Sequence, residues 1–421
     1  MPVHNAMTGS ELHETKGAAA AAQGFTLVAN GVGQAVYQAL LGNVVFVNQL
    51  SDLPTAAAGK ITLAAATTYL FGDSINIGTD YLQFSAGTDI SSHAAFTAVI
   101  TYTGTAPMLQ GADVNATLKD IGLNCPNSDL FSWVDTGGGG NSIVIVSDMF
   151  VIACQGVGTF DDINTLVING ATVIDCTTGV TFLGDSHQGT RLESFSMLST
   201  STSFIGIDLT GATLKTFFCE GLILTGGTGS IGLKGDAGSA NITTGFIANI
   251  SGVQFQGVTT PLSGISVDDF RFNFQGNGEV ADTMPDALTA FVGNATATVL
   301  SVGVPTLVAG TWVEARSSQF TTTAGGRSTY LGERDLVTPI DISVVIDPAS
   351  GTNKTVRAYV ALNGAAVIAS GIAVNVSSGD PKQISVPWQL KLSTGDFVEV
   401  FIENETDSVD ATVIDATLRI R

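Results

Sequence analysis

Charge is scarce in this chain: only 13% of its 421 residues are Asp, Glu, Lys or Arg. Basic residues are the scarcer kind, 16 against 37 acidic ones, for a formal net charge of −21. No stretch gathers Lys and Arg into a patch, so binding to a phosphate backbone has no electrostatic footprint and nucleic acid is excluded as a partner. An anionic membrane surface would repel the chain. No run approaches the roughly 18 uninterrupted apolar residues of a spanning helix, so membrane insertion is not expected. The stretch from Met1 to Glu14 lacks a basic start and an apolar h-region, which predicts synthesis in a cytoplasm without a secretory leader. Aromatics make up 7% of the chain, too few for a wide sugar-stacking platform. The 4 cysteines are scattered singly, without the close pairs of a zinc site. They are expected to be buried thiols, with neither the base nor the solvent access that a catalytic cysteine needs.

What is abundant points to strands. The chain has 49 glycines and is 44% hydrophobic; its Val, Ile, Ala, Phe and Leu alternate with Thr and Ser, a composition that suits pleated sheets. The cysteines mark short recurring blocks. Cys125 ends Asp-Ile-Gly-Leu-Asn-Cys, Cys154 ends Asp-Met-Phe-Val-Ile-Ala-Cys, Cys176 ends Thr-Val-Ile-Asp-Cys, and Cys219 opens Cys-Glu-Gly-Leu-Ile-Leu. Further blocks start at Leu192, Ile250 and Asp269. A period of roughly 20–30 residues built from short strands and glycine turns predicts a stacked β-solenoid. Neighbouring rungs then lie about 4.8 Å apart, and the cysteines form one column facing the core.

Three regions follow. Residues 1–45 carry a capping box, Thr8-Gly-Ser-Glu11, and an alanine tract, and read as a short, partly helical segment that orders against something else. Residues 46–285 hold the repeating blocks and read as a parallel β-helix shaft. After Gly276-Asn-Gly-Glu-Val-Ala-Asp-Thr-Met-Pro285 the repetition stops. Residues 286–421 give longer strands with turns, a β-sandwich of jelly-roll type, and Asn363-Gly364 is a two-residue hairpin signal. The fold class is all-β.

Three resemblances join these readings. Thr8-Gly-Ser-Glu-Leu-His-Glu-Thr-Lys-Gly17 resembles the T-G-x-x-L-H-E-x-K-G stretch that opens some bacteriophage tail fibre and tailspike proteins. That resemblance assigns Leu12, His13, Glu14, Lys16 and Gly17 to docking on the particle. The repeating region resembles the right-handed, pectin-lyase-like β-helix of phage tailspikes. Arg327-Ser-Thr-Tyr-Leu-Gly332, Val356 to Gly364 and Leu392 to Asn404 resemble the TNF/C1q-like jelly roll that caps many trimeric phage fibres. Together they imply a homotrimeric virion protein, a tailspike, tail fibre or head fibre assembled in the host cytoplasm. Its partners would be a tail or capsid protein at the N-terminus and a host-surface glycan or protein at the exposed loops.

Chemistry is thin by comparison. A glycan depolymerase of this shape would need two carboxylates in a groove, about 5–5.5 Å apart for retention or about 6.5–9.5 Å for inversion. Asp175, Glu193 and Glu220 recur near equivalent repeat positions and are the candidates, with turn and rung-edge roles as the alternative. Arg191 and Arg271 sit in no lyase motif, and His187 beside Asp185 lacks a nucleophile motif. Glu403, Glu405, Asp407 and Asp410 form an oxygen-rich loop, the one stretch suited to Ca²⁺, although it departs from EF-hand spacing. Trp133, Trp312 and Trp388 are expected in the core or between chains. No cofactor is called for.

Overall fold

The computed structural model describes residues 25–29, 35–39, 43–93, 97–137, 142–293, 297–332 and 335–421. The docking candidates Leu12, His13, Glu14, Lys16 and Gly17 and the expected helical turn lie outside these residues. Of the first region the described parts are Phe25–Ala29 and Ala35–Ala39, an antiparallel strand pair, and the start of the strand Asn43–Val47. The chain divides into two compact units, Met1–Asp236 with Val253–Gly264, and Ala237–Gly252 with Ile265–Arg421.

The first unit is a three-faced parallel β-helix, in which each strand pairs with the strand one turn later in the chain. One face runs from Asn43–Val47 through Thr67–Phe71 to Gly189–Glu193 and Phe217–Glu220. A second runs from Lys60–Thr62 to Thr260–Ser263, and a third from Ile75–Asn76 to Gln254–Gln256. In-register stacking makes the core a set of columns. Ile90, Leu118, Val146, Ile168 and Leu192 line one. Ile100, Leu123, Val151, Val173, Met197 and Leu224 line another. The second face places Trp133, Phe160 and Phe182 in sequence, with ring centroids of the two phenylalanines 6.2 Å apart. The Trp133 indole fits because Gly111 is its partner on the preceding rung; a Cβ there would lie 2.2 Å from the ring.

The corners explain how so short a strand can turn. After the five successive strands of the first face from Ala116–Lys119 to Phe217–Glu220 one residue takes a left-handed conformation: Asp120, Asp148, Gly170, Ser194 and Gly221 all have positive φ. Asp, Ser and Gly tolerate this region where β-branched residues do not. The apolar residue that follows each, Ile121, Met149, Ala171, Phe195 and Leu222, is fully buried.

The cysteine column differs from expectation at one member. Cys125 and Cys154 are register partners, and Cys176 lies beside Cys154 at the same corner. Cys219 instead continues the Leu192 column on the first face. All four thiols are free and buried. Burial pushes Cys219 up and Cys176 up to about 12; the hydrogen bond with Cys125, then burial, raises Cys154.

The second unit contains a parallel strand pair, Ala248–Ser251 with Phe272–Gln275, and an antiparallel β-sandwich. One sheet has the order Thr311–Ser318, Asp286–Gly293, Ala411–Ile420, Leu336–Pro348, Lys382–Leu392. The opposite sheet is centred on Phe397–Asn404, which pairs with Lys354–Leu362 on one side and with Ser328–Tyr330 on the other. Between the sheets, Ile342, Val344, Val356, Val360, Val400 and Leu418 are almost completely buried. The whole is all-β, a parallel β-helix followed by an antiparallel sandwich of jelly-roll type.

Candidate functional site

The three acidic candidates of the β-helix separate into a pair and an outlier. Glu193 and Glu220 are register partners on adjacent rungs, so their carboxylates stand side by side on the outward face of the first sheet. Parallel neighbours lie about 4.8 Å apart. Arg191 and Phe218 form the next outward row on the same two strands, and Arg191 Nε donates to Glu193. Asp175 is elsewhere: it follows Thr172–Ile174 of the third face, exposed, at a corner with φ of 53°. The expected stacking on one face therefore holds for two of the three residues. A repeat period locates a residue along the solenoid, whereas the corner residues decide which face it occupies.

His187, paired with Asp185 in the sequence reading, is fully buried; its Nε2 lies 2.7 Å from the Leu183 carbonyl and its ring meets Phe182 edge-on. Burial holds its pKa below the ordinary value. Trp133 and Trp312 are buried, and Trp388 packs against the sandwich core.

The acidic loop of the sandwich is divided among separate partners. Glu403 accepts from the Tyr359 hydroxyl, Glu405 from Arg357 Nε at 2.7 Å, Asp407 from Lys354, and Asp410 from the Leu300 amide at 3.1 Å. Among the described residues no three of His, Cys, Asp and Glu gather as a metal ion would require. The carboxylates of this loop tie strands together.

Sequence reasoning missed an alternation on the outer face of the strand Phe397–Asn404. Phe397, Glu399, Phe401 and Glu403 share that face, with Val398, Val400 and Ile402 turned to the core. Glu399 is 2% exposed and Glu403 7%. The Arg327 guanidinium lies 3.8 Å from the centre of the Phe397 ring, and its Nε is 3.2 Å from Glu399 Oε1. Burial first, then the hydrogen bond to Glu403, raises the Tyr359 phenol above its ordinary pKa. The Phe-x-Glu-x-Phe-x-Glu spacing was the available signal, since a period of two puts all four residues on one side.

Two cavities belong to the second unit. The smaller, about 300 Å³, is walled by Phe270, Asn273, Gln275, Gln319 and Asp335. An aromatic edge with side-chain amides and a carboxylate is suited to a polyhydroxylated ligand. Asn273 Nδ2 is already held by Asn249 Oδ1 at 3.1 Å, and Lys391 and Ser393 keep the Asp335 carboxyl below its usual range. The larger cavity collects arginines that the sequence reading left unassigned.

No family model matches the chain, and no curated protein matches it. Among solved structures, the chain is similar to Eiger TNF from S. frugiperda at 14% identity, over 33% of this chain and 93% of that one, with a TM-score of 0.23. PRD1 vertex protein P5 is 14% identical over 32% of this chain and 96% of its own, with a TM-score of 0.24. The globular domain of zebrafish complement 1qA is 11% identical over 33% and 96%, with a TM-score of 0.22. At such scores the assignment of fold rests on the strand pairing described above.

Proposed function

We propose that the chain is a structural virion protein, a trimeric spike or fibre of a bacteriophage. In this reading residues Leu12, His13, Glu14, Lys16 and Gly17 dock on the tail or capsid, and the sandwich and β-helix loops meet a host-surface glycan or protein. The supporting observation is the outer face of the five-stranded sheet. Val292, Val313, Val337 and Ile414 are each between 46% and 61% exposed, while Phe291, Trp312 and Val413 beside them in the chain are buried. A solvated antiparallel sheet presents polar residues outward; exposed valine and isoleucine side chains set among Arg316, Asp341 and Arg419 on that face fit burial between copies of one chain. The low charge and the rigid parallel scaffold agree with a particle surface that carries binding loops. Three copies would turn weak individual contacts into avid attachment.

Light scattering on the purified chain tests the assembly. The expected mass is three times the 43.1 kDa of one chain, falling to the single-chain value in V337K/I414K with the strand content unchanged. A native monomer overturns the reading.

A second reading, cleavage of a surface polysaccharide, draws on the Glu193 and Glu220 pair. Release of reducing ends, abolished in E193Q and E220Q, would support it. Unshortened polysaccharide after prolonged incubation would refute it.

A further inference from the structure

In a chain with eight arginines and a net charge of −21, three arginines line one cavity. Arg316, Arg419 and Arg421 surround about 520 Å³ in the second unit, together with Asp268, Asp282 and Asp286. Strand register puts two of the arginines there: Leu288 stands opposite Arg316 on one neighbouring strand and opposite Arg419 on the other. Arg316 is ion-paired to Asp286, and Arg421 Nη2 lies 3.2 Å from Asp341 Oδ2. Arg419 differs. Among the described residues its side chain has no hydrogen-bond or ion-pair partner, its Nε is buried without an acceptor, and the Asp341 opposite it on the neighbouring strand is the residue paired with Arg421. A guanidinium cannot shed its charge at any ordinary pH, and a buried N–H without an acceptor is costly. Arg419 is the one cation of the cavity left for a ligand.

We propose that this cavity binds a single carboxylate-bearing sugar, a hexuronic or nonulosonic acid residue of a surface glycan. The unpaired guanidinium, rather than net charge, selects the class, because Asp268, Asp282 and Asp286 match the three arginines in number. One guanidinium without a partner suits one carboxylate, which it can grip with two parallel hydrogen bonds. A doubly charged phosphate would face Asp268 and Asp282 with no second free cation. Those same carboxylates, with the hydroxyls of Ser317 and Ser318, accept or donate to ring hydroxyls, and Met284 and Pro285 offer an apolar wall. The volume suits one or two sugar residues. The glycan origin of the ligand rests on the receptor-binding reading above; the chemistry of the cavity stands without it.

Calorimetry on the full chain, with glucuronate, N-acetylneuraminate and the neutral twin glucuronamide, tests the proposal without altering the protein. At least one acid should bind about tenfold or more tightly than the amide, as a charge-assisted contact predicts. In R419Q, with its melting curve unchanged, the acids should fall to the level of the amide. Equal affinity for acid and amide, no binding of either acid, tighter binding of inorganic phosphate, or an undiminished acid preference in R419Q would each overturn the proposal. Adsorption to bacteria bearing an acidic capsule separates it from the broader reading. A chain that adsorbs and is not displaced by either acid keeps the receptor reading and refutes the cavity. A chain that prefers the acids through Arg419 yet adsorbs to no cell keeps the cavity and refutes the receptor reading.

Discussion

The β-helix of the first unit and the sandwich of the second reach an all-β fold by opposite routes. In the β-helix the described strands pair in parallel with strands one turn apart, such as Leu166 with Thr190 or Val173 with Met197. Strands are short, and the core consists of columns in which each side chain meets its counterpart on the next rung. The sandwich pairs antiparallel strands up to 13 residues long and joins distant parts of the chain, as where Leu288 meets Arg419. Charge follows the same division. Among the described residues the first unit holds the ion pairs Lys119–Asp120, Arg191–Glu193 and Lys234–Asp208, all partly exposed. The sandwich spreads its ion pairs over both sheets, including Arg327 with the nearly buried Glu399. Repetition lets the solenoid be stable with hydroxyls outside and hydrocarbon inside, because each rung needs only its neighbours. The sandwich has no repeat, so specific polar pairs fix its register.

Removing a ring from the solenoid column should have the largest effect. Phe160 is fully buried between Phe131, 5.6 Å away, and Phe182, 6.2 Å away. Phe160→Ala should cost about 3–5 kcal/mol through lost burial and the cavity left behind. Scanning calorimetry of the full chain should show a solenoid transition moving down while the sandwich transition stays in place. A single transition that moves as a whole would erase the distinction between the two regions.

Breaking a polar pair should cost the sandwich less. Arg327→Ala leaves the Glu399 carboxylate without its cation, yet the Arg327 side chain is 45% exposed, so solvent already screens the pair. About 2 kcal/mol is expected, below the roughly 3–5 kcal/mol of a fully buried pair. Urea denaturation of R327A and of R327A/E399Q checks this, with the second change recovering part of the loss. If the double variant is as unstable as the single one, the carboxylate is not what made Arg327 necessary.

Alkali should separate the regions further. Tyr359 keeps its proton more tightly in the folded chain than in the unfolded one, because it is buried and hydrogen-bonded to Glu403. The unfolded phenol ionises near pH ~10, so the stabilisation is complete below that pH and is lost as pH rises beyond it, by up to about 1.4 kcal/mol per pH unit. The sandwich of Tyr359→Phe should lose this slope, and the solenoid should show no change on that substitution. An unaltered alkaline slope in the variant would assign it to other groups.

The solenoid was legible in the sequence because its period is printed in every rung: runs such as Tyr81-Leu-Gln and Thr67 to Phe71 are strands. The face on which a residue lies was harder to read. Cys219 and Asp175 were grouped with residues of other faces because a period alone does not mark where the corners fall. Asp120, Asp148, Gly170, Ser194 and Gly221 carry that information, as a left-handed residue followed by a buried apolar one. In the sandwich the strands could be read, whereas the arginine cavity could not. Arg316 and Arg419 meet only because both strands flank Asp286–Gly293, and no local pattern announces a pairing across so much chain.

The smallest expected effect falls on a turn that was read from two letters. Asn363 and Gly364 join the strand Lys354–Leu362 to the strand Ala365–Ala366, with φ of 51° and 78°. Positive φ at both central residues is the signature of a type I′ hairpin, whose twist matches that of the strands it joins. Asn363 adds two contacts: its Nδ2 donates to Asp396 at 2.8 Å, and its Oδ1 accepts from the Phe397 amide at 3.0 Å. Asn363→Ala loses both and puts an ordinary side chain in the left-handed region, a cost of about 1–2 kcal/mol. Asn363→Gly restores the backbone freedom without the contacts. The sandwich transition should therefore rank native, then N363G, then N363A, with the solenoid transition unchanged in all three. Equal losses in the two variants would mean that the contacts to Asp396 and Phe397, rather than the backbone conformation, are what Asn363 contributes.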